Sequence, residues 1–225
     1  MPSCFSDLTL IERALGDGLH DATASLDLDA RDIYGETALH AAGKMGLPLL
    51  CQALARERPA LLSALDNFNL TPLMLACLSG EPACVKALLP GSALETRSLT
   101  GKTALLYAAA CSNAPPPPAH GASFSPGRDI MSMLLAAGAD PLAKSFFQST
   151  MLHLACAAGA KPCIELSIEA LGAEALGSLD NNGLTPRDLA RGRLPPMALA
   201  ALEARFIADA CVAPTSSAKR LPKAL

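Results

Sequence analysis

Apolar residues in this chain fall into short blocks, each opened by a threonine. The blocks are Thr37-Ala38-Leu39-His40-Ala41-Ala42, Thr71-Pro72-Leu73-Met74-Leu75-Ala76-Cys77, Thr103-Ala104-Leu105-Leu106-Tyr107-Ala108, Thr150-Met151-Leu152-His153-Leu154-Ala155 and Thr185-Pro186-Arg187-Asp188-Leu189-Ala190. The threonines are 34, 32, 47 and 35 residues apart. Within each block the apolar residues have helical spacing, and threonine is a good N-cap. A second apolar block follows each, predicting second helices near Leu47–Ala55, Pro82–Leu89, Asp129–Ala137, Pro162–Ala170 and Pro196–Asp209. Upstream, Leu8, Leu10, Ile11, Ala14 and Leu15 share one helical face, and residues 5–31 read as a degenerate first unit. Polar Glu12, Arg13, Asp17 and Asp21 suit a cap whose outer side meets water.

Three of the four intervals lie close to a period of about 33, and these blocks follow a T-P-L-H-x-A pattern. In both respects the chain resembles the ankyrin repeat over roughly residues 5–209. The resemblance implies an all-α solenoid of stacked helix-turn-helix units with short β-hairpin tips. Its units would be an N-cap at 5–31, then 32–65, 66–97, 98–144, 145–179 and a C-cap at 180–211, within an ankyrin repeat domain at 1–211. Residues 212–225 read as a flexible tail: Lys219, Arg220 and Lys223 are too few for a confident import or phosphate signal.

Departures from the pattern carry expectations of their own. The 47-residue interval holds an insert at 113–127 with four successive prolines, Pro115 to Pro118. Such a run favours an extended helix without internal hydrogen bonds. The insert reads as a surface loop; the other reading is a second docking site for a proline-reading domain, with Ser125-Pro126 as a phosphorylation candidate. At the tip position before each threonine, Gly35 is replaced by Asn69 in the second full repeat and by Gln148 in the fourth. Gln148 predicts a strained or differently turned tip.

Composition narrows the function. The apolar fraction is 51%, but only 4% of residues are aromatic, and Trp is absent. Net charge is −3, with no basic stripe that would track a phosphate backbone, so no nucleic-acid partner is expected. No signal peptide or membrane-spanning run is apparent, and Pro2 excludes N-myristoylation, so no membrane partner is expected either. Of eight cysteines, Cys77 and Cys156 share one repeat position and Cys84 and Cys163 another. They read as reduced core thiols of a cytoplasmic protein, with the nucleus as a further compartment. The alternative of a cysteine-based metal or redox protein lacks a C-x-x-C motif. His40 and His153 are repeat-motif residues, His20 lies in the cap and His120 in the insert. With no converging nucleophile, base or phosphate loop, the sequence predicts no enzyme, no cofactor and no metal.

Binding is the positive expectation. In ankyrin arrays the hairpin tips and first helices line a concave face that holds a protein. Carrying those positions over gives Tyr34, Glu36, Met45, Phe68, Leu70, Leu78, Lys102, Phe146 and Phe147 as partner-binding candidates. Four of the eight Phe and Tyr residues fall on tips. The expected partner is a helix or extended segment with hydrophobic anchors, and the free protein is expected to be monomeric. Adaptor, inhibitor or assembly factor are the roles such a face implies.

Overall fold

Each of the five threonines stands at the start of a helix, as the spacing predicts. The computed structural model describes residues 30–111, 125–191, 193–195 and 204. The first helices are α1 (Ala38–Met45), α3 (Pro72–Ser79), α5 (Ala104–Ala110), α7 (Met151–Ala158) and α9 (Pro186–Arg191). The second helices are α2 (Pro48–Glu57), α4 (Pro82–Leu88), α6 (Pro126–Ala136) and α8 (Lys161–Leu171). Thr37, Thr71, Thr103 and Thr150 hold extended backbone ahead of the first helices, with ψ between 160° and 172°. Thr71 and Thr150 accept from the backbone N–H three residues on, satisfying one of the orphan donors of the first turn. Proline opens α2, α3, α4 and α6, where its missing N–H costs nothing. Gly46, Gly80 and Gly159 close the first helices in the left-handed region.

Helices stack in two layers. α1, α3, α5, α7 and α9 pack in succession, as do α2, α4, α6 and α8, and each first helix also packs on its own second helix where both are described. A first helix is therefore enclosed on three sides, which is why α3 is buried continuously from Pro72 to Cys77. Leu39, Leu73, Leu105 and Leu152, two residues after their threonines, are buried, and so are Leu50, Leu54, Val85, Leu88, Ile130, Leu134, Ile164 and Ile168 of the second layer. Each such side chain contributes about 1.5–3 kcal/mol on burial. Cys77, Cys84, Cys156 and Cys163 lie in the same core as small apolar fillers.

Four features depart from the expectations. Among the described residues there is no strand, so the tips are tight turns rather than β-hairpins. The longer exits from α2 and α8 are wound into 3-10 turns at Pro59–Ser63 and Ala173–Gly177. The first of these buries Leu61 and Leu62, so the additional residues extend the core. α6 begins at Pro126, so Pro126 and Gly127, the last residues of the expected insert, form a buried first helical turn with Ser125 as N-cap. Gln148 carries the expected strain, a left-handed backbone at φ 58°, but is not differently turned: like Asn69 at φ 57° it keeps the turn of the glycines it replaces. The N-cap unit up to residue 29, residues 112–124 of the insert region, most of the predicted 196–209 helix and the tail lie outside the described residues. No helix among the described residues is long and apolar enough to cross a membrane.

Candidate binding face

Five residues before every threonine stands an aspartate or serine: Asp32, Asp66, Ser98, Ser145 and Asp180. This residue builds the tip. Asp32 Oδ1 accepts from the N–H groups of Tyr34 (2.9 Å) and Glu36 (2.8 Å), and Asp66 Oδ1 from those of Phe68 (2.8 Å) and Leu70 (2.7 Å). Asp180 does the same for Asn182 and Leu184. Ser98 and Ser145 repeat the arrangement through Oγ, at 3.2–3.3 Å. A neutral hydroxyl on a shorter side chain makes the longer, weaker version of the bond. Main-chain bonds complete each turn, as from Gly35 N–H to the Asp32 carbonyl and from Asp32 N–H to the Glu36 carbonyl.

Neighbouring tips are bonded to one another. Asn67 N–H donates to the Tyr34 carbonyl, Leu99 to Phe68, Phe146 to Thr100 and Asn181 to Phe147. Side chains reinforce this ladder: the Asn67 amide donates to the Ile33 carbonyl at 3.2 Å and the Asn181 amide to Phe146 at 3.0 Å. Arg31 Nη1 donates to the carbonyls of Gly35 (2.8 Å) and Leu65 (2.7 Å), and Arg97 Nη1 to those of Gly101 (3.2 Å) and Lys144 (2.7 Å).

Phe146, the first crest residue of the fourth repeat, lies over the preceding tip: a Cβ on Gly101 would sit 2.6 Å from Cδ1 of its ring. Phe146 packs in this way while still 61% exposed. At the second crest position Tyr34, Phe68 and Phe147 are 49%, 51% and 55% exposed, no more than Ile33 (82%) and Leu99 (57%) at the first. Met45 and Leu78, near the C-termini of α1 and α3, are also exposed, while Leu70 is half-buried against the core. Glu36 is not placed as a contact residue would be. It is only 7% exposed, and its carboxylate pairs with Lys44 Nζ at 2.8 Å. That contact raises the Lys44 pKa and holds the ammonium 5.9 Å from the Tyr34 ring centroid. Lys102, half-buried, lies 5.5 Å from the Tyr107 ring centroid, and the Tyr107 hydroxyl donates to Ser98 Oγ at 3.0 Å.

The titratable groups beneath this face are structural. His40 Nδ1 accepts from Thr37 N–H, and Nε2 donates to the Leu70 carbonyl of the next repeat at 3.0 Å. Burial depresses its pKa, against the opposing pull of the Leu70 carbonyl and of Asp66 and Glu36. His153 caps Thr150 in the same way, but its Nε2 falls short of good bonding geometry, and burial lowers its pKa against the weaker, opposing pull of the Leu184 backbone. Asp188 takes the histidine position in the fifth repeat, accepting from both Thr185 N–H and Thr185 Oγ1. Burial pushes the Cys77 thiol upward, and Cys156 up to about 12, which suits neither a nucleophile nor a ligand. Among the described residues no three His, Cys, Asp or Glu side chains converge as a metal site.

Sequence reasoning passed over the tip-building aspartates and serines, the two arginines and the capping role of Asp188. The first two had a signal, since one recurs five residues before every threonine and the other six before two of them.

Residues 48–115 match the family described as ankyrin repeats in three copies. An ankyrin-repeat domain is present. The helix pairs, capping threonines and stacked layers are consistent with an ankyrin solenoid, and the matched family is a non-catalytic one. The chain is also 29% identical over 178 residues to the E3 ubiquitin-protein ligase KEG of Arabidopsis thaliana, covering 79% of this chain and 10% of that protein. The chain thus spans about a tenth of the length of this relative.

Proposed function

We propose that this ankyrin domain binds a protein partner through the face formed by its tips and first helices, as an adaptor, inhibitor or assembly factor. One observation carries the reading. Tyr34, Phe68 and Phe147 project from three tips, Met45 and Leu78 lie beside them on the first helices, and all five are exposed. Apolar side chains aligned on one face mark contact surfaces, and aromatic residues supply most of the energy in such contacts. Phe146 contributes its outer edge, Leu70 part of its side chain, and Glu36 acts by holding Lys44 in place. A stretch like this chain makes up a small part of a ubiquitin ligase, which fits a recruiting rather than a reactive role. We place the protein in the cytoplasm or nucleus, where its thiols stay reduced, and as a monomer when free.

The test is affinity capture from native extract with wild type and a Tyr34→Ala, Phe68→Ala, Phe147→Ala triple variant whose helicity is checked by circular dichroism. A partner that is held by the wild type and lost by the folded variant is the expected result. A partner retained by the variant moves the binding site elsewhere, to the segment around Pro115 to Pro118 or the outer helices.

A further inference from the structure

The tip of the fifth repeat contains Asn182-Gly183, the one Asn-Gly pair in the chain; the other asparagines precede Phe68, Leu70, Ala114 and Asn182. This pairing has a chemistry of its own. The main-chain nitrogen of the following residue can attack the asparagine Cγ, and glycine, with no Cβ, hinders the approach least. That nitrogen loses its proton to a solvent base, the bond from Cγ to Nδ2 breaks, and ammonia leaves. A five-membered succinimide remains. Water opens it at either carbonyl, giving aspartate or, with the chain rerouted through the side chain, isoaspartate. The net change is amide plus water to carboxylic acid plus ammonia, with no oxidant and no enzyme.

Asn181, Asn182, Gly183 and Leu184 are exposed, and a Cβ on Gly183 would meet nothing within 4 Å, so water reaches the pair. Access is not enough, because the closed tip engages the reacting groups elsewhere. Gly183 N–H donates to the Asp180 carbonyl at 3.0 Å. Asp180 Oδ1 accepts from Asn182 N–H at 2.8 Å and from Leu184 N–H at 3.0 Å, which fixes the chain on both sides of the pair. The Asn182 side-chain Nδ2 lies 3.5 Å from Asp180 Oδ2. Attack therefore requires the Gly183 nitrogen to give up its bond and Asn182 to turn out of the Asp180 grip. Each hydrogen bond contributes about 1 kcal/mol net, so the reaction must wait for the tip to open.

The product cannot close again as before. Isoaspartate adds a methylene to the main chain between residues 182 and 183, so Asp180 Oδ1 no longer spans the two N–H groups. Aspartate sets a second carboxylate where Nδ2 met Asp180 Oδ2, and the like charges repel. Asn181 joins this tip to the Phe147 carbonyl through its N–H and to the Phe146 carbonyl through its amide, so the neighbouring aromatic tip loses its support as well.

We propose that Asn182-Gly183 is a latent deamidation site that the Asp180 turn keeps shut, so that its conversion marks opening of the fifth tip and then prevents reclosure.

The test is incubation of the protein at neutral pH beside a peptide of residues 176–190, which serves as the open reference. Peptide mapping by mass spectrometry follows the exchange of ammonia for water at Asn182, and circular dichroism checks that each variant keeps its helices. Conversion in the folded protein should be at least about tenfold slower than in the peptide. Asp180→Ala should approach the peptide rate. Asp180→Asn, which keeps the acceptor without the charge, should stay within about twofold of wild type. A folded protein that converts as fast as the peptide, or an Asp180→Ala variant as slow as wild type, would overturn the protective turn. Asp180→Asn converting as fast as Asp180→Ala would assign the protection to charge and overturn the hydrogen-bonded turn. A peptide that does not convert at Asn182 would remove the site altogether.

Discussion

At the junction of repeats one and two, α1 and α3 pack more extensively than any other pair of first helices. Gly43 makes this possible: a Cβ there would lie 2.9 Å from the Pro72 carbonyl oxygen. His40, Arg31 and Asn67 also cross this junction, each reaching a main-chain carbonyl of the adjacent repeat. At the junction of repeats two and three, Cys77 takes the position of Gly43, Met74 that of His40 and Leu65 that of Arg31. There, among the described residues, the tip-to-tip hydrogen bond is that from Leu99 N–H to the Phe68 carbonyl. The same architecture is thus held in one place by polar staples and close approach, in the next mainly by apolar packing. Polar staples fix a register but leave buried groups stranded when cut, whereas apolar contacts tolerate exchange.

The sharpest way to break the contrast is His40→Ala. It strands Thr37 N–H and leaves the Leu70 carbonyl with the Asp66 N–H alone, and should cost about 1–3 kcal/mol in urea unfolding. Met74→Leu, the conservative change at the same position in repeat two, should cost less than about 1.5 kcal/mol. Next comes Gly43→Ala. Helix propensity favours alanine by about 1 kcal/mol, but the clash with the Pro72 carbonyl should leave the variant about 1–2 kcal/mol less stable. A stabilised Gly43→Ala would show that α1 and α3 can separate freely.

The histidines add a pH dependence. Burial holds His40 and His153 below the ordinary value of 6.5, so the folded protein takes up these protons less readily than the unfolded chain. Their contribution is complete above about pH 6.5 and is lost as pH falls below it. The unfolding midpoint should therefore drop between pH 7.5 and 5.5, and a His40→Gln, His153→Gln variant should show a flatter profile. Asp180 and Asp188 are held below the ordinary 3.8, by the Leu184 N–H and by the Thr185 hydroxyl respectively, so their effect belongs to a separate, more acid window.

Smaller effects sharpen the picture. Arg31→Ala removes two hydrogen bonds at an exposed site, and a loss of about 1 kcal/mol is expected. Gln148→Gly should gain about 0.5–1 kcal/mol in the same unfolding assay by relieving a left-handed backbone. A loss there would mean that the glutamine side chain supports its tip.

Much of this was legible because it is local. Threonine caps, the helical apolar period and the small core residues all act within one repeat, so the five blocks disclosed the stacked helices directly. The tips were harder to read. Turn and strand differ by the number of bonds between neighbouring tips, and those partners are some 34 residues apart. Arg31 was read past because its acceptors are main-chain carbonyls, which leave no mark in sequence. Glu36 looked like a contact residue from its position alone. Only the placement of Lys44 eight residues later explains why it turns inward.

His40, Arg31 and Asn67 each address a carbonyl, and Gly43 makes room for another, so none of these features depends on the identity of the side chain opposite. Excising residues 66–97 would bring Leu99 N–H to the Tyr34 carbonyl and His40 to the Lys102 carbonyl, with the same type of bond restored at both places and only the Asn67 amide's bond to the Ile33 carbonyl lost. Such units behave as interchangeable parts. One can be removed, or a copy inserted, without redesigning its neighbours, and the face presented to a partner then shortens or lengthens by whole steps.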